Sequence, residues 1–532
     1  MFVDLRSAEN DQLFEADICI IGAGPAGIAM ATALAEESLD VCIVESGGFE
    51  SHGDIQSLAD ADMVSHPHHR LITGRNRQLG GSTNSWGGAC APMSAIDFAP
   101  RPFVDLHGWP FSRAALDPYY RRAQTMFEIG PFAYAPADWI GDNFEPLGLS
   151  RERLETRIWQ MSPRTNFGRV HRRDLDRSSQ ITVLLHATAT QILTNEAASC
   201  IEAVEVRGLD GKQAKVRAKA TVLACGGIDN ARLLLLSRQR RPQGLGNDRD
   251  LVGRYFMQHP HIAAASIRFS GSKGWLRNYK DFRSGDVWLR ARIGLTERAM
   301  TQERVLNPVA SLVNRFITDS LTHTQSVGYV TLKRVLLDLR HGQLPANFTH
   351  ELTTILKDIR GISVGFLRHL RDQNGAVYVM GEQFPNPDSR VMLTMEKDRL
   401  GQEKASVDWR LLPIDKQSIR VLIDAIRWDF SRLGIAQIVP DEWLTIDDET
   451  WPQSLAGGHH HMGTTRMGDD PATSVVDADA RVHGIANLYV AGSSIFPTVG
   501  SANPTLTLVA TSLKLADHLA ALMAGERTAA VA

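Results

Sequence analysis

Residues 17–45 read DICIIGAGPAGIAMATALAEESLDVCIVE, and this stretch decides the fold. An apolar run is followed by Gly22, Gly24 and Gly27 in G-x-G-x-x-G spacing, then by an alanine-rich stretch and a second apolar run that ends at Glu45. The order predicts a strand, a tight turn, a helix, a second strand and an acid, which is the βαβ unit that binds dinucleotides. The first glycine permits the turn, the second lets a pyrophosphate approach the backbone, and the third lets the helix pack on the strand.

Glu45 stands where the acid of this motif hydrogen-bonds a ribose hydroxyl. The N-terminus of the helix after the glycines would face the phosphates. These features predict a site for a dinucleotide, but they do not separate FAD from NAD.

Two later stretches repeat the pattern of an apolar strand that runs into glycine. Residues 220–237 (ATVLACGGIDNARLLLLS) predict a buried strand, a turn and a helix, and residues 487–498 (NLYVAGSSIFPT) predict another strand before the last helix. A glycine-rich loop, residues 76–92, holds Trp86 among small polar residues, which suggests a planar ligand lying on the backbone. The nucleotide-binding sheet is therefore expected to draw strands from the beginning, the middle and the end of the chain.

The fold class predicted from this pattern is α/β, with a Rossmann-like domain built from discontinuous segments and a second, inserted α+β domain built on a central sheet. We assign residues 1–95, 165–257 and 458–532 to the nucleotide-binding domain. Residues 96–164 form a connecting or cap segment, and residues 258–457 form the inserted substrate-binding domain, whose sheet would carry the strand-like SRVMLT.

The insert also contains an amphipathic stretch, residues 350–372, with basic residues beside an apolar face. Such a helix packs on a core or a subunit more often than on a membrane. The apolar face is expected to contain Leu352, Ile355, Leu356, Ile359, Phe366 and Leu370.

Composition narrows the function classes. The chain has 532 residues, 43% of them hydrophobic, and a net charge of −3, without a basic block of the kind that binds nucleic acid. The five cysteines form no C-x-x-C pair, and Cys19, Cys42 and Cys225 lie in apolar strand-like runs, which suits a reducing compartment. The N-terminus resembles no secretory signal and no apolar run looks long enough to span a bilayer, so a cytoplasmic location is expected, with export alongside a partner as the alternative.

Three consecutive histidines, His459 to His461, lie between glycines in GGHHHMGTTRMGDD, residues 457–470. From the residues alone they could be a polar loop, a metal site or a proton acceptor. Adjacent histidines point in different directions and no carboxylate or cysteine ligand set accompanies them, so no metal is expected. A second cluster, His66, His68 and His69, is interpreted as a polar loop.

Motifs spread over nearly the whole chain resemble the glucose-methanol-choline oxidoreductases, FAD enzymes that oxidise alcohols, and most closely their sugar-oxidising, pyranose 2-oxidase-like branch. The motifs that carry the resemblance, in chain order, are IIGAGPAGIA, LGGSTNSWGG, GWPFSRAALDPYYRRA, VGRYFMQHP, FPNPDSRVMLTMEKDRLG, HMGTTRMG and SVVDADARVHGIANLYVAGSSIFPTVGSANPTLT.

The resemblance implies a catalytic pair. The family's histidine stands in an H-x-x-G pattern, which Gly463 places at His460, and its partner matches Asn503. Hydride transfer from an alcohol carbon to flavin N5 requires loss of the hydroxyl proton, which a histidine accepts near neutral pH and an amide helps to orient. His459 and His461 are then supporting residues.

The resemblance also implies FAD contacts and the manner of attachment. In pyranose 2-oxidase the histidine before the loop tryptophan carries a covalent bond to FAD, whereas Ser85 occupies that position in this chain, so non-covalent FAD is expected. The implied cofactor contacts are Gly22, Gly24, Gly27 and Glu45 for the ADP half, Gly81, Ser82 and Asn84 beside the isoalloxazine, Ala189 near adenine, and Gly492, Ser493 and Thr505 near the C-terminus.

The sequence leaves several alternatives open. The substrate is expected to be a sugar or glycoside, with a polyol, sterol or aromatic alcohol as the alternative. A non-redox FAD-containing lyase and a pure binding or electron-transfer subunit are further alternatives, against which the retention of both His460 and Asn503 counts. Oxygen, a quinone or a protein would accept the electrons, membrane contact is disfavoured, and a homo-oligomer is compatible with the sequence.

Overall fold

A computed structural model describes residues 1–65, 71–141, 144–163, 165–270, 274–314, 348–359 and 375–531, together with isolated residues between 328 and 362. The polar loop predicted around His66 and His68, and most of the second half of the amphipathic stretch 350–372, lie outside the described residues.

Strands and helices alternate along most of the described chain. The strands are β1 (Phe2–Asp4), β2 (Gln12–Ile21), β3 (Val41–Val44), β4 (Ala61–Met63), β5 (Ala89–Cys90), β6 (Leu154–Met161), β7 (Ile181–Leu185), β8 (Thr188–Thr194), β9 (Ile201–Arg207), β10 (Gln213–Leu223), β11 (Pro260–Phe269), β12 (Asp281–Ser284), β13 (Val287–Leu295), β14 (Val309–Asn314), β15 (Gly375–Met380), β16 (Arg390–Lys397), β17 (Glu403–Asp408), β18 (Ala436–Pro440), β19 (Ala456–Gly457) and β20 (Leu488–Val490). The helices are α1 (Pro25–Glu36), α2 (Gly53–Gln56), α3 (Ala95–Phe98), α4 (Asp117–Met126), α5 (Phe167–Val170), α6 (Arg172–Arg177), α7 (Gly226–Leu236), α8 (Glu297–Glu303), α9 (Phe348–Lys357), α10 (Pro413–Arg432), α11 (Glu442–Thr445) and α12 (Pro504–Val531).

The first sheet has the order β1-β7-β3-β2-β10-β9-β8, and β20 pairs with β10. Its centre is parallel, because β2 pairs in parallel with both β3 and β10, and β10 pairs in parallel with β20. All of these strands come from the three segments predicted to build the nucleotide-binding domain. The predicted α/β class is confirmed, while the domain boundaries themselves stay a prediction.

Each part of the βαβ unit forms for a physical reason that can be named. Residues 18–21 of β2 are buried, as expected for a central parallel strand. Pro25 occupies the first turn of α1, where its missing N–H costs no hydrogen bond. The small alanine side chains of α1 are mostly buried and let the helix pack against α12.

The second sheet has the order β18-β11-β15-β14-β13-β6-β5, with β12 on β13 and β19 on β11, and the strands of its centre pair antiparallel. Two strands differ from the predicted division of the chain. β6 and β5 precede the insert, yet β6 pairs with β13 from Trp288↔Met161 to Leu295↔Leu154. The segment predicted as a connector therefore supplies β6, and the end of the first nucleotide-binding segment supplies β5, because β13 would otherwise expose a long unpaired edge.

The strand predicted at SRVMLT is present as β16, but its expected place in the central sheet is wrong. β16 pairs with β17, which pairs in turn with β4 from the N-terminal part of the chain. This separate three-stranded sheet joins the insert to the nucleotide-binding part, a partnership that strand periodicity cannot specify.

Helix α12 contradicts the expectation that no apolar run is long enough to span a bilayer. Residues 504–525 are long and apolar enough, by length and composition, to cross a membrane, and 61% of the most apolar window of this helix is buried inside the protein. The helix packs against α1 and α4, so its apolar character has an explanation in the core.

Two local predictions also change. Leu352, Leu356 and Ile359 of the amphipathic stretch are exposed, so these three residues of the predicted apolar face are not buried in the core. Cys225 lies just beyond β10, at the N-cap of α7, and not inside a strand. The five cysteines are free thiols.

Candidate active site

A cavity of about 570 Å³ lies where the carboxyl ends of β2, β3 and β10 meet the loops before α12. Crevices at this edge of a parallel sheet are the usual ligand sites of such folds. Its walls bring together residues that are hundreds of positions apart. Of the residues predicted to bind the cofactor or to react, those that line it are Gly22, Gly24, Glu45, Gly81, Ser82, Ala189, Gly492, Ser493, Thr505, His460 and Asn503.

The three glycines of the motif have different surroundings. A Cβ on Gly22, whose φ is +112°, would lie 2.6 Å from the carbonyl oxygen of Ala224, and a Cβ on Gly27 would lie 2.0 Å from the carbonyl oxygen of Gly22. A Cβ on Gly24 would meet no atom within 4 Å and would project into open space. Gly22 and Gly27 are thus required by the protein's own packing, and Gly24 leaves the backbone bare at the cavity, which fits a pyrophosphate.

Glu45 is buried at the cavity wall and accepts two backbone hydrogen bonds, from the N–H of Ala23 at 2.9 Å and of Gly47 at 2.8 Å. Burial raises the pKa of this carboxyl, and the two N–H groups and Arg77 oppose the rise. The carboxylate is fixed in position beside the glycine turn and retains acceptor capacity for a ribose hydroxyl.

Two predicted cofactor contacts lie outside the cavity lining. Gly27 is behind the turn, as its packing requires. Asn84 Nδ2 donates to the carbonyl oxygens of Leu79 at 3.0 Å and Gly81 at 2.7 Å, and Asn84 Oδ1 accepts from Asn166 at 2.6 Å. Asn84 therefore shapes the loop and does not face the ligand space.

The serine hydroxyls at the cavity wall already form hydrogen bonds with other groups of the protein. Ser82 donates to the carbonyl oxygen of Gly74 at 3.1 Å, and Ser493 donates to that of His461 at 2.7 Å. Ser85 accepts a hydrogen bond from Asn76 at 2.7 Å. Their hydroxyls hold the cavity walls together, and their backbone borders the ligand space.

Sequence reasoning missed a charged cluster in the same wall. Arg75 and Arg77 each lie 2.9 Å from a carboxylate oxygen of Asp229, and Arg232 adds a third guanidinium. Burial would raise the pKa of Asp229, but the arginines outweigh burial and lower it. The two arginines of the sequence GRNRQ, residues 74–78 at the start of the glycine-rich loop, were the available signal. The cluster places positive charge on the wall of a cavity suited to a pyrophosphate.

His460 and Asn503 are brought together by tertiary structure. Asn503 Nδ2 lies 3.3 Å from His460 Nε2 although the two residues are far apart in sequence. Both line the cavity, and Asn503 Oδ1 is buried without a hydrogen-bond partner. An orphaned acceptor beside the histidine nitrogen is available to a ligand group.

A second histidine fixes which nitrogen of His460 carries the proton. His259 Nε2 lies 3.0 Å from the carbonyl oxygen of Gly500, and a carbonyl can only accept, so Nε2 is the donor. In neutral His259, Nδ1 is then an acceptor, and it lies 2.8 Å from His460 Nδ1. His460 must therefore be protonated on Nδ1, which leaves the lone pair on Nε2, beside Asn503 in the cavity wall.

Gly500, whose carbonyl oxygen accepts the hydrogen bond from His259, is itself fixed by further interactions. The Gly500 N–H donates to Glu382 at 3.2 Å, and Glu382 forms a buried ion pair with Arg101. Burial would raise the pKa of Glu382, but Arg101 outweighs it, so the pKa is lowered. His259 lies in VGRYFMQHP, one of the motifs that carry the family resemblance, yet its role could not be deduced because its partners follow about 200 residues later.

Burial controls the protonation of all these imidazoles. It lowers the pKa of His460 well below 6.5, and the nearby His259 and His261 add to the effect. The same cause lowers the pKa of His259 to about 4 and that of His261 and His461 to about 3. The cluster is thus neutral at physiological pH, as a proton acceptor must be.

Metal binding was the other open interpretation of the histidines. Among the residues that the structure describes, no three His, Cys, Asp or Glu side chains are arranged to hold a metal ion. The hydrogen bond between the two Nδ1 atoms engages one nitrogen of each ring.

Comparison with known proteins agrees with this geometry. Residues 385–512 match the family model described as GMC oxidoreductase. Paromamine 6'-oxidase of Streptomyces fradiae is 26% identical, with coverage of 97% of this chain and 93% of the relative. The same three figures apply to 6'''-hydroxyparomomycin C oxidase of Streptomyces lividus. The solved structure of an FAD-dependent oxidoreductase from Chaetomium thermophilum shares the fold, with TM-score 0.54, 16% identity and coverage of 94% of this chain and 98% of that chain.

The family match falls on the part of the chain that contributes His460, Asn503 and the C-terminal wall of the cavity. The relatives align over nearly the full length, and the sheet, the glycine turn and the acid form a site suited to a dinucleotide. Residues 385–512 thus carry the GMC oxidoreductase family model, and nearly the whole chain resembles relatives that are named as oxidases and dehydrogenases.

Proposed function

We propose that the protein oxidises a CH–OH group of a sugar or glycoside to a carbonyl, with non-covalent FAD. The observation that carries the proposal is the lone pair of His460 Nε2, held beside Asn503 in the wall of a cavity that also contains the glycine turn and Glu45. When bound, FAD supplies the hydride acceptor, N5 of its flavin ring.

Different residues of the chain would bind the cofactor, accept the proton and orient the substrate. The glycine turn and Glu45 would hold the ADP half, and the loop of residues 81–89 would border the flavin ring. His460 Nε2 takes the hydroxyl proton as the C–H hydrogen leaves with its electron pair, so the alcohol loses two electrons and two hydrogens. The amide of Asn503 orients the same oxygen, and the His259 bond keeps Nε2 free of a proton.

The sugar assignment is supported by the relatives. Two full-length relatives are named as oxidases of paromamine and of a hydroxyparomomycin, which are sugar-containing alcohols. The non-covalent attachment is supported by Ser85, whose hydroxyl sits in the loop beside Trp86 and cannot form the histidyl bond of pyranose 2-oxidase.

The first experiment is anaerobic mixing of the purified yellow enzyme with a panel of sugars, glycosides and simple alcohols. Bleaching of the flavin band by a sugar or glycoside is expected. Bleaching by non-sugar alcohols alone would refute the substrate class, and no bleaching by any alcohol would refute the reaction in favour of a lyase or a binding role.

The second experiment tests the residues. His460→Ala should retain FAD and slow flavin reduction by about 100- to 10,000-fold, the usual effect of removing a positioned acid–base group. Asn503→Ala should slow the same step less. His459→Ala and His461→Ala are the matched controls and should cost far less. If His461→Ala abolishes reduction and His460→Ala does not, the assignment is off by one residue.

A further inference from the structure

One buried positive charge near His460 has no part in the site described above. Arg292, on β13, is 7% exposed. Among the described residues no carboxylate lies within ion-pair distance of it, and its Nε has no hydrogen-bond partner. Its Nη1 donates to Met380 Sδ at 3.8 Å, and a thioether sulfur is a weak acceptor. A guanidinium is always charged in proteins, and burying it without a counter-charge is costly.

The neighbouring arginines, unlike Arg292, each have a carboxylate partner. Arg290, on the same strand, pairs with Asp281 at 2.5 Å, and Arg157, directly opposite Arg292 on β6, pairs with Glu155 at 2.7 Å. Arg292 instead lies over the ring of Trp159, 4.5 Å from its centroid. Stacking on an aromatic ring stabilises and orients a guanidinium but does not neutralise it.

The register of the sheet places Arg292 on the face that looks towards the catalytic loops. Met380 lies opposite His261, and the His261 ring is 5.9 Å from the ring of His460. Arg157, the cross-strand partner of Arg292, donates to Ser501 at 2.8 Å, in the loop that carries Asn503. Two side chains, Met380 and His261, thus connect Arg292 with the proton acceptor.

Three described positions on this face keep partial solvent exposure. Tyr378, which lies between β11 and β14 on β15, is only half-buried, as are its cross-strand partners Ser311 and Ala263. The hydroxyl-bearing residues Tyr378 and Ser311 lie opposite each other on the same face of the sheet as Met380, the neighbour of Arg292. Burial lowers the pKa of Arg292 to about 9, so the group is still charged near neutrality.

We propose that Arg292 binds a carboxylate carried by the substrate, so that the enzyme acts on an acidic sugar or glycoside such as a uronic acid derivative. One unpaired guanidinium matches one negative charge, which favours a carboxylate over a phosphate dianion, and its planar geometry matches two carboxylate oxygens. The inference rests on the proposed function for the alcohol, but it concerns binding and can be tested without turnover.

The test is the affinity of the FAD-loaded enzyme for methyl β-D-glucuronoside and for methyl β-D-glucoside, measured by isothermal titration. The two probes differ in the carboxylate. The glucuronoside should bind at least tenfold more tightly. Arg292→Gln should weaken its binding by about 10- to 100-fold, the effect of a lost charged hydrogen bond, and should leave the glucoside unchanged.

Two control variants test whether a loss of affinity in Arg292→Gln comes from poor folding and not from the lost carboxylate contact. Arg292→Lys keeps the charge and should retain part of the preference even if Arg292→Gln folds poorly. Arg290→Gln removes a paired charge on the same strand and should change neither affinity. Equal affinity of the wild type for the two probes, or an equal loss for both in Arg292→Gln, would overturn the proposal. Arg292-dependent binding without flavin bleaching would leave it standing and would count against the proposed oxidation instead.

Discussion

The hydrogen bond between His259 and His460 offers the sharpest test of the site, because two substitutions separate its two ends. In His259→Asn the amide oxygen can occupy the position of Nδ1 and still accept from His460 Nδ1. In His259→Gln the longer amide can reach the position of Nε2 and still donate to Gly500, but nothing accepts from His460. The pair therefore tests whether the bond to His460 matters or merely the packing around Gly500.

The expected loss of rate in His259→Gln can be estimated from the His460 N–H group that this variant leaves without an acceptor. A buried N–H of His460 without an acceptor costs about 1–3 kcal/mol, and it can be relieved if the proton moves to Nε2, the atom that must accept the substrate proton. At about 1.4 kcal/mol per factor of ten, flavin reduction should slow by about 5- to 150-fold.

The assay is anaerobic stopped-flow reduction with the substrate identified by bleaching, with FAD content as the check on folding. His259→Asn should lie within a few-fold of the wild type, well above His259→Gln. If the Gln variant is as fast as the Asn variant, or faster, the hydrogen bond from His460 to His259 does not set which nitrogen of His460 is protonated.

Three further predictions concern the same cavity. Because burial and the neighbouring His259 lower the pKa of His460 well below 6.5, and only the neutral form accepts a proton, the rate of flavin reduction should stay constant as the pH falls to 6.5 and decline only below it; a rate that halves at or above pH 6.5 would contradict this. Gly24→Val should fold normally but lose FAD, since its side chain would fill the bare part of the cavity, whereas Gly27→Ala should lower the melting temperature, as its Cβ would lie 2.0 Å from a carbonyl oxygen; FAD content and thermal unfolding of both variants decide. Acid precipitation should release the flavin into the supernatant because Ser85 replaces a linking histidine, and flavin retained in the pellet would show a covalent bond.

Several parts of this protein can be predicted from local order along the chain. The glycine spacing, the alternation of apolar runs with an alanine-rich helix and the position of Glu45 specify the βαβ unit, since each step involves neighbours within a few residues. The same holds for β10 with its following helix and for the C-terminal helix, whose apolar composition is explained by burial against α1 and α4.

In contrast, the choice of strands that share a sheet and of the free nitrogen of His460 depends on long-range contacts. β6 joins the insert's sheet and β16 leaves it, because strand pairing is satisfied by any chain edge that the fold brings near. His259 lies in a motif that does not reveal its role, and Arg292 lies in none of the motifs. His259 matters because it accepts a hydrogen bond from His460, about 200 residues away, and Arg292 matters because no described carboxylate pairs with it; both are properties of the folded surroundings. Charge and hydrogen bonding at a buried site depend on everything packed around it, which no local stretch of sequence contains.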